Sequence, residues 1–154
     1  NKENTYYKYK SNFKVIKDQR GYPASKPPWG KLTAINLNSG KIIWSIPFGE
    51  YEELTEKGIP ITGTINYGGA TATAGNLVFA TGTIDKKIRA FDSTNGEELW
   101  NYKMDYSGSS PPTIIEHNNE QYIIVVATGS NSINDQFPNQ HEFGNKVYAF
   151  KLEK

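Results

Sequence analysis

Four carboxylates fall within seven residues, at Glu50, Glu52, Glu53 and Glu56, and a cluster of that density is the first place to look for a cation. A calcium loop sets its oxygens at alternating positions around a central glycine, and this run has neither feature. On a single helical turn, positions 50, 53 and 57 share one face, so the run reads as a short solvated helix in which Glu53 pairs with Lys57. No metal site is expected from it. Asp85 lies in the turn Thr83-Ile84-Asp85-Lys86, where Lys86 and Lys87 are ready partners. Of the two histidines, His117 stands beside the Asn118-Asn119 turn and reads as an exposed strand end, while His141 lies in a loop, where a lone histidine is ordinarily solvated. The absence of cysteine excludes thiol nucleophiles, zinc ribbons and disulfide frameworks. Neither a Walker-type loop nor a His-Glu-x-x-His or Gly-x-Ser-x-Gly arrangement occurs.

The elements that must position any site are short. Residues 1–30 are rich in Tyr and Lys, carry Pro/Gly clusters at 21–23 and 27–30, and read as an extended lead-in. Residues 32–35 and 41–46 then form a β-hairpin around Asn38-Ser39-Gly40. The pattern Ala34-x-Asn36-x-x-x-Gly40-x-x-x-Trp44 recurs fifty-six residues later as Ala90-x-Asp92-x-x-x-Gly96-x-x-x-Trp100. A period of that size is the mark of a propeller or solenoid. Around the second copy, strands are expected at 71–73, 77–81, 87–92 and 97–103, which is one four-stranded antiparallel propeller blade. A further blade starts with 112–117, 121–128 and 146–152. The expected fold is therefore all-β: residues 31–154 supply about two and a half propeller blades, with an inserted loop at 49–64. Within the repeat, Ala lets neighbouring blades approach and Gly makes the turn. Asn36 or Asp92 can bond to turn amides, and the indole can donate its N–H to a neighbouring blade.

Composition narrows the function classes. The 17 Lys+Arg and 16 Asp+Glu leave a formal net charge of +1, so no nucleic-acid partner or anionic membrane surface is indicated. An aromatic content of 13% argues against disorder, and 14 Gly with 8 Pro argue against a long-helix bundle. The longest apolar run, at 123–127, is far too short to span a bilayer. The opening Asn1-Lys2-Glu3-Asn4 has neither an initiator Met nor a signal core, so the chain is expected to be a piece of a longer one, and a last blade that stops one strand short is expected to mark that piece as C-terminal.

The repeated Ala/Asp/Gly/Trp pattern resembles the tryptophan-docking motif of quinoprotein dehydrogenases, eight-bladed propellers that bind pyrroloquinoline quinone (PQQ). The segment Pro27-Pro28-Trp29-Gly30-Lys31-Leu32-Thr33-Ala34-Ile35-Asn36-Leu37 is similar to one in their membrane-bound glucose-oxidising members. So are Gly58-Ile59-Pro60, Thr62-Gly63-Thr64, Gly68-Gly69-Ala70-x-x-Thr73-Ala74-Gly75-Asn76-Leu77-Val78-Phe79, Asp85-x-x-x-Arg89-Ala90-Phe91-Asp92 and Gln121-Tyr122-Ile123-Ile124-Val125-Val126-Ala127.

That resemblance implies a periplasmic oxidase of a glucose-like sugar or an alcohol, holding PQQ and Ca²⁺ at the propeller axis and passing electrons to a quinone or cytochrome. The family's catalytic carboxylate and calcium ligands have no matching positions here, so catalytic and metal residues are expected outside this chain and the chain alone is expected to be inactive. Tyr67-Gly68-Gly69 falls where relatives present a segment to the cofactor pocket; the plainer reading of the Gly pair is a bend between blades. Asp85 matches an acidic position that glucose-oxidising relatives place near PQQ. In those relatives a Gly-Gly-His stretch follows the strand corresponding to 122–127; here that stretch is Thr128-Gly129-Ser130-Asn131, so either Asn131 takes the place or His141 loops back beyond an insertion. Two other functions fit parts of the pattern: a non-enzymatic propeller of PQQ-like repeats serving as a protein-assembly scaffold, and, more weakly, a carbohydrate-binding β domain.

Overall fold

The computed structural model describes residues 16–129 and 143–152. Strands β1 (Lys31–Asn36) and β2 (Lys41–Pro47) form one antiparallel pair. A short helix, α1 (Glu52–Thr55), follows. Then comes a four-stranded sheet in sequence order, β3 (Asn66–Ala72), β4 (Leu77–Thr83), β5 (Lys87–Asp92) and β6 (Glu98–Lys103). A three-stranded sheet completes the described chain, with β7 (Thr113–His117), β8 (Glu120–Ala127) and β9 (Lys146–Lys151). Every pairing within these sheets is antiparallel.

The repeated pattern folds the same way twice. Asn36 Oδ1 accepts the amides of Asn38 and Ser39, and Gly40, at φ +67, returns its N–H to the Asn36 carbonyl at 2.7 Å. Asp92 Oδ1 likewise accepts the Thr94 amide, and Gly96, at φ +79, bonds the Asp92 carbonyl at 2.9 Å. Glycine is needed at both positions because a side chain at that φ is strained. Each hairpin also bulges at the same repeat position, after Ala34 and after Ala90, and each Ala faces its Trp across the pair.

The three sheets pack against one another chiefly through the inner strands, so β4 and β5 are almost continuously buried, while β6, the edge strand of its sheet, is exposed along its length. Side chains alternate across a strand, and at β4 and β5 both faces of the middle sheet are covered. Phe79, Ile88 and Ala90 point toward Ile123, Val125 and Ala127 of β8. Their neighbours Ala80 and Phe91 turn the other way, onto Phe48 and the partly buried Leu32 and Ile46.

Two expectations need correction. Strand β3 begins at Asn66, not at Thr71, so Tyr67-Gly68-Gly69 lies inside a strand. The helix is present but is docked instead of solvated: Tyr51 and Leu54 are buried with Ile84 beneath Tyr22 and Trp29. Glu53 accepts the Tyr22 hydroxyl at 2.9 Å and not the Lys57 ammonium, because docking turns that face toward the lead-in segment.

Candidate functional site

One end of the middle sheet collects most of the sequence candidates. Strand β3 starts there, paired as Asn66 with Thr83, and a bulge then restores register at Gly69 with Thr81. The close approach of the two strands depends on glycine. A Cβ on Gly68 would stand 2.2 Å from the Thr81 carbonyl oxygen, and one on Gly69 would stand 2.6 Å from Pro111 Cγ. Both glycines are thus explained by protein packed against them. Tyr67 is 41% exposed at the same end.

Asp85 occupies the β4–β5 turn with its carboxylate fully buried. Its Oδ2 meets Arg89 Nη2 at 2.5 Å and accepts the Glu50 amide at 2.9 Å. Its Oδ1 accepts the Thr83 hydroxyl at 2.5 Å, the Lys87 amide at 3.2 Å and Arg89 Nη1 at 3.2 Å. Burial alone would push the Asp85 carboxyl up, but the Arg89 guanidinium with the Thr83 hydroxyl and Lys87 amide holds it below the usual aspartate value. The partner of this carboxylate is Arg89, where the sequence had suggested the side chains of Lys86 and Lys87. Lys87 turns instead to Glu50 at 2.5 Å and Glu52 at 3.5 Å. Burial would lower the Lys87 ammonium, and the Glu50 carboxylate more than reverses that. Glu52 bonds Lys103 at 2.6 Å, which holds its carboxyl below the ordinary glutamate range.

This lattice was not legible as a site. Its one sequence signal is Arg89 inside the otherwise apolar stretch Ile88-Arg89-Ala90-Phe91: a charge in a strand covered on both faces must meet a counter-ion. The aromatic cluster beside it was also missed. The rings of Tyr22 and Trp29 stack 6.0 Å apart, and Tyr51 meets both edge-on at 5.0 and 5.3 Å. His117 is exposed at the end of β7, as expected. His141 and Asn131 lie outside the described residues. Among the described residues, no group of three or more His, Asp or Glu side chains is placed to hold a metal, and no helix is long and apolar enough to cross a membrane.

Small antiparallel sheets in sequence order, packed face against face, are the architecture of β-propellers. The chain is similar to a structure of quinohemoprotein alcohol dehydrogenase from Comamonas testosteroni, at 24% identity and TM-score 0.58 over 86% of this chain and 18% of that one. It is also similar to a europium-containing methanol dehydrogenase, at 18% identity and TM-score 0.59 over 79% of this chain and 23% of that one. Among curated proteins it is 33% identical to the quinate/shikimate dehydrogenase (quinone) of Acinetobacter baylyi, over 95% of this chain and 18% of that protein. To the quinoprotein glucose dehydrogenase of Escherichia coli it is 31% identical, over 86% of this chain and 16% of that protein. Residues 1–123 match the family described as PQQ: glucose/ethanol/alcohol dehydrogenase, beta-propeller domain, and the chain belongs to that family. It spans less than a fifth of the length of these two curated relatives.

PQQ is a planar quinone carrying carboxylates, so a complete site for it needs a flat wall and cations. Arg89, Lys87 and Lys103 all face carboxylates of this chain, and Thr81 and Pro111 fill the space at Gly68 and Gly69. Of the described candidates, Tyr67 is the exposed one, at 41%. These residues do not make up the ligand set of such a site; an exposed aromatic such as Tyr67 would suit one wall of it.

Proposed function

We propose that this chain is the C-terminal stretch of a periplasmic PQQ-dependent dehydrogenase, with residues 31–154 forming its last blades. Its substrate is a hydroxyl-bearing small molecule, a glucose-like sugar, an alcohol or a cyclic polyol acid such as quinate, and its electrons go to a quinone or a cytochrome. The observation that carries this reading is the family match over residues 1–123, joined to 33% identity with a quinone-dependent quinate/shikimate dehydrogenase along 95% of the chain. PQQ, assisted by Ca²⁺, supplies the hydride acceptor in such an enzyme. The proton-accepting carboxylate and the calcium ligands come from outside this chain.

The contribution of these residues is geometric. Tyr67 presents its ring at the start of β3 as part of the cofactor wall, and Gly68 and Gly69 keep that strand tight on β4 and Pro111 so that the ring stands at a fixed height. The aromatic side chain covers the cofactor plane and excludes water from it.

Titration of the cofactor-free longer protein with PQQ in the presence of Ca²⁺, followed by tyrosine and tryptophan fluorescence, tests this reading. Saturable quenching is expected, weakened about tenfold by Tyr67→Ala, the loss of one stacked aromatic contact. No saturable quenching in the unsubstituted protein would overturn the reading; an unchanged affinity in Tyr67→Ala would remove Tyr67 from the wall.

A further inference from the structure

The loop at 49–64 is a strap. Its two ends meet, with the Thr64 amide donating to the Phe48 carbonyl at 2.8 Å, and its helix α1 reaches as far as β6 through Glu52 and Lys103. Where the strap begins, the Glu50 amide donates to Asp85 Oδ2 at 2.9 Å. Arg89 stands behind that hydrogen bond, its side chain 5% exposed. Its fork grips both Asp85 oxygens, Nη1 also donates to Thr83 Oγ1 at 3.2 Å, and Nε reaches Glu98 at 3.1 Å. Thr83 is the residue paired with Asn66 at the start of β3, and its carbonyl accepts the Ser107 hydroxyl at 2.9 Å. Arg89 Nη2 also lies 3.7 Å from the Glu50 carboxylate, so one guanidinium reaches the strap both directly and through Asp85, and reaches the residue before Tyr67 and the segment leading into β7 through Thr83.

We propose that Arg89 is a positioning residue: acting through Asp85 and Thr83, it clasps the strap to the start of β3 and so fixes where Tyr67 stands. The clasp itself is independent of what the protein binds; only its consequence for a cofactor rests on the function proposed above. The chemistry favours Arg for this task. A planar fork can bond both carboxylate oxygens and a hydroxyl together, which a lysine ammonium at the end of a flexible stem cannot reproduce. Removing the fork leaves a buried carboxylate without its bonded counter-charge, and Asp85 would then release the Glu50 amide to reach water.

Amide hydrogen exchange and PQQ titration on the full-length protein that carries this chain test the clasp. In Arg89→Met, amides of residues 50–64 and 66–69 are expected to exchange at least about tenfold faster, while those of β7 and β8 stay protected, because local opening is confined to the segments that the guanidinium holds. PQQ affinity falls about tenfold, with KM for the hydroxyl substrate nearly unchanged, because the perturbed wall is on the cofactor side. Arg89→Lys recovers only part of both effects. Asp85→Asn, which keeps the shape of the side chain, reproduces the same exchange pattern more weakly and serves if Arg89→Met does not fold. The double variant is no worse than Arg89→Met, since the two residues act as one unit. Faster exchange spread evenly over all strands, or an unchanged strap, would overturn the clasp. A full-length protein that binds no PQQ before substitution would sink the functional reading alone, and the exchange pattern would still decide the clasp.

Discussion

Trp44 Nε1 donates a hydrogen bond to the carbonyl oxygen of Ser93 at 2.9 Å, forty-nine residues further along the chain. The indole lies flat against Gly96, where a Cβ would come within 2.8 Å of Trp44 Cε3. The last strand of one hairpin thus locks onto the turn of the next sheet. The repeat provides both halves of the lock, Trp in one copy and Gly in the following one.

Trp44→Phe keeps most of the buried area but loses the N–H, and should cost about 1–2 kcal/mol. Gly96→Ala meets both a strained φ and the indole, and should cost about 2 kcal/mol or more. Denaturant unfolding of each variant checks this, and the double variant should cost less than the sum because both changes open one interface.

Position decides what a glycine is worth. Gly68→Ala drives a methyl to 2.2 Å from the Thr81 carbonyl and should separate β3 from β4, with a loss above about 3 kcal/mol. Gly75→Ala has ordinary φ and nothing closer than 3.7 Å, so its effect should stay within about 0.5 kcal/mol. Soluble yield and thermal midpoints of the two variants separate them.

Acid should release the strap. The Asp85 and Glu52 carboxyls are held below their ordinary values, Asp85 against the cost of burial by Arg89 and its hydrogen bonds, Glu52 chiefly by Lys103. A carboxyl with a depressed folded pKa contributes stability that is whole above its unfolded value and is lost as pH falls below it. Stability should therefore be flat from neutral pH down to about pH 5 and decline below about pH 4, and Asp85→Asn should be less stable at neutral pH with a shallower decline. Denaturant midpoints across that range measure both slopes.

Thr81 Oγ1 is buried and, among the described residues, has no hydrogen-bond partner. Thr81→Val keeps the shape and removes the unsatisfied hydroxyl, so thermal stability should be unchanged or higher by about 1 kcal/mol.

The fold was legible in the sequence to within a residue or two at most strands, because alternation, Asn/Gly turns and an exact repeat all pointed to the same pattern. The miss at β3 has a physical cause. Asn66-Tyr67-Gly68-Gly69 has poor strand propensity and is extended only because Thr81, Gly82 and Pro111 are shaped to receive it. The Glu50–Asp85–Arg89 lattice was hidden for another reason: Glu50 lies thirty-five residues before Asp85, and it donates to Asp85 through its backbone amide, which no residue type announces. The docked helix was hidden likewise, since Tyr51 and Leu54 are too few to make an amphipathic stripe.

The most direct measurement is dye reduction by the full-length protein reconstituted with PQQ and Ca²⁺, using glucose, quinate and a panel of alcohols. The account predicts turnover that requires PQQ, with one of these hydroxyl substrates clearly preferred. Absence of turnover with every substrate, together with no spectroscopic sign of bound PQQ, would contradict it and leave a propeller that serves as a binding scaffold.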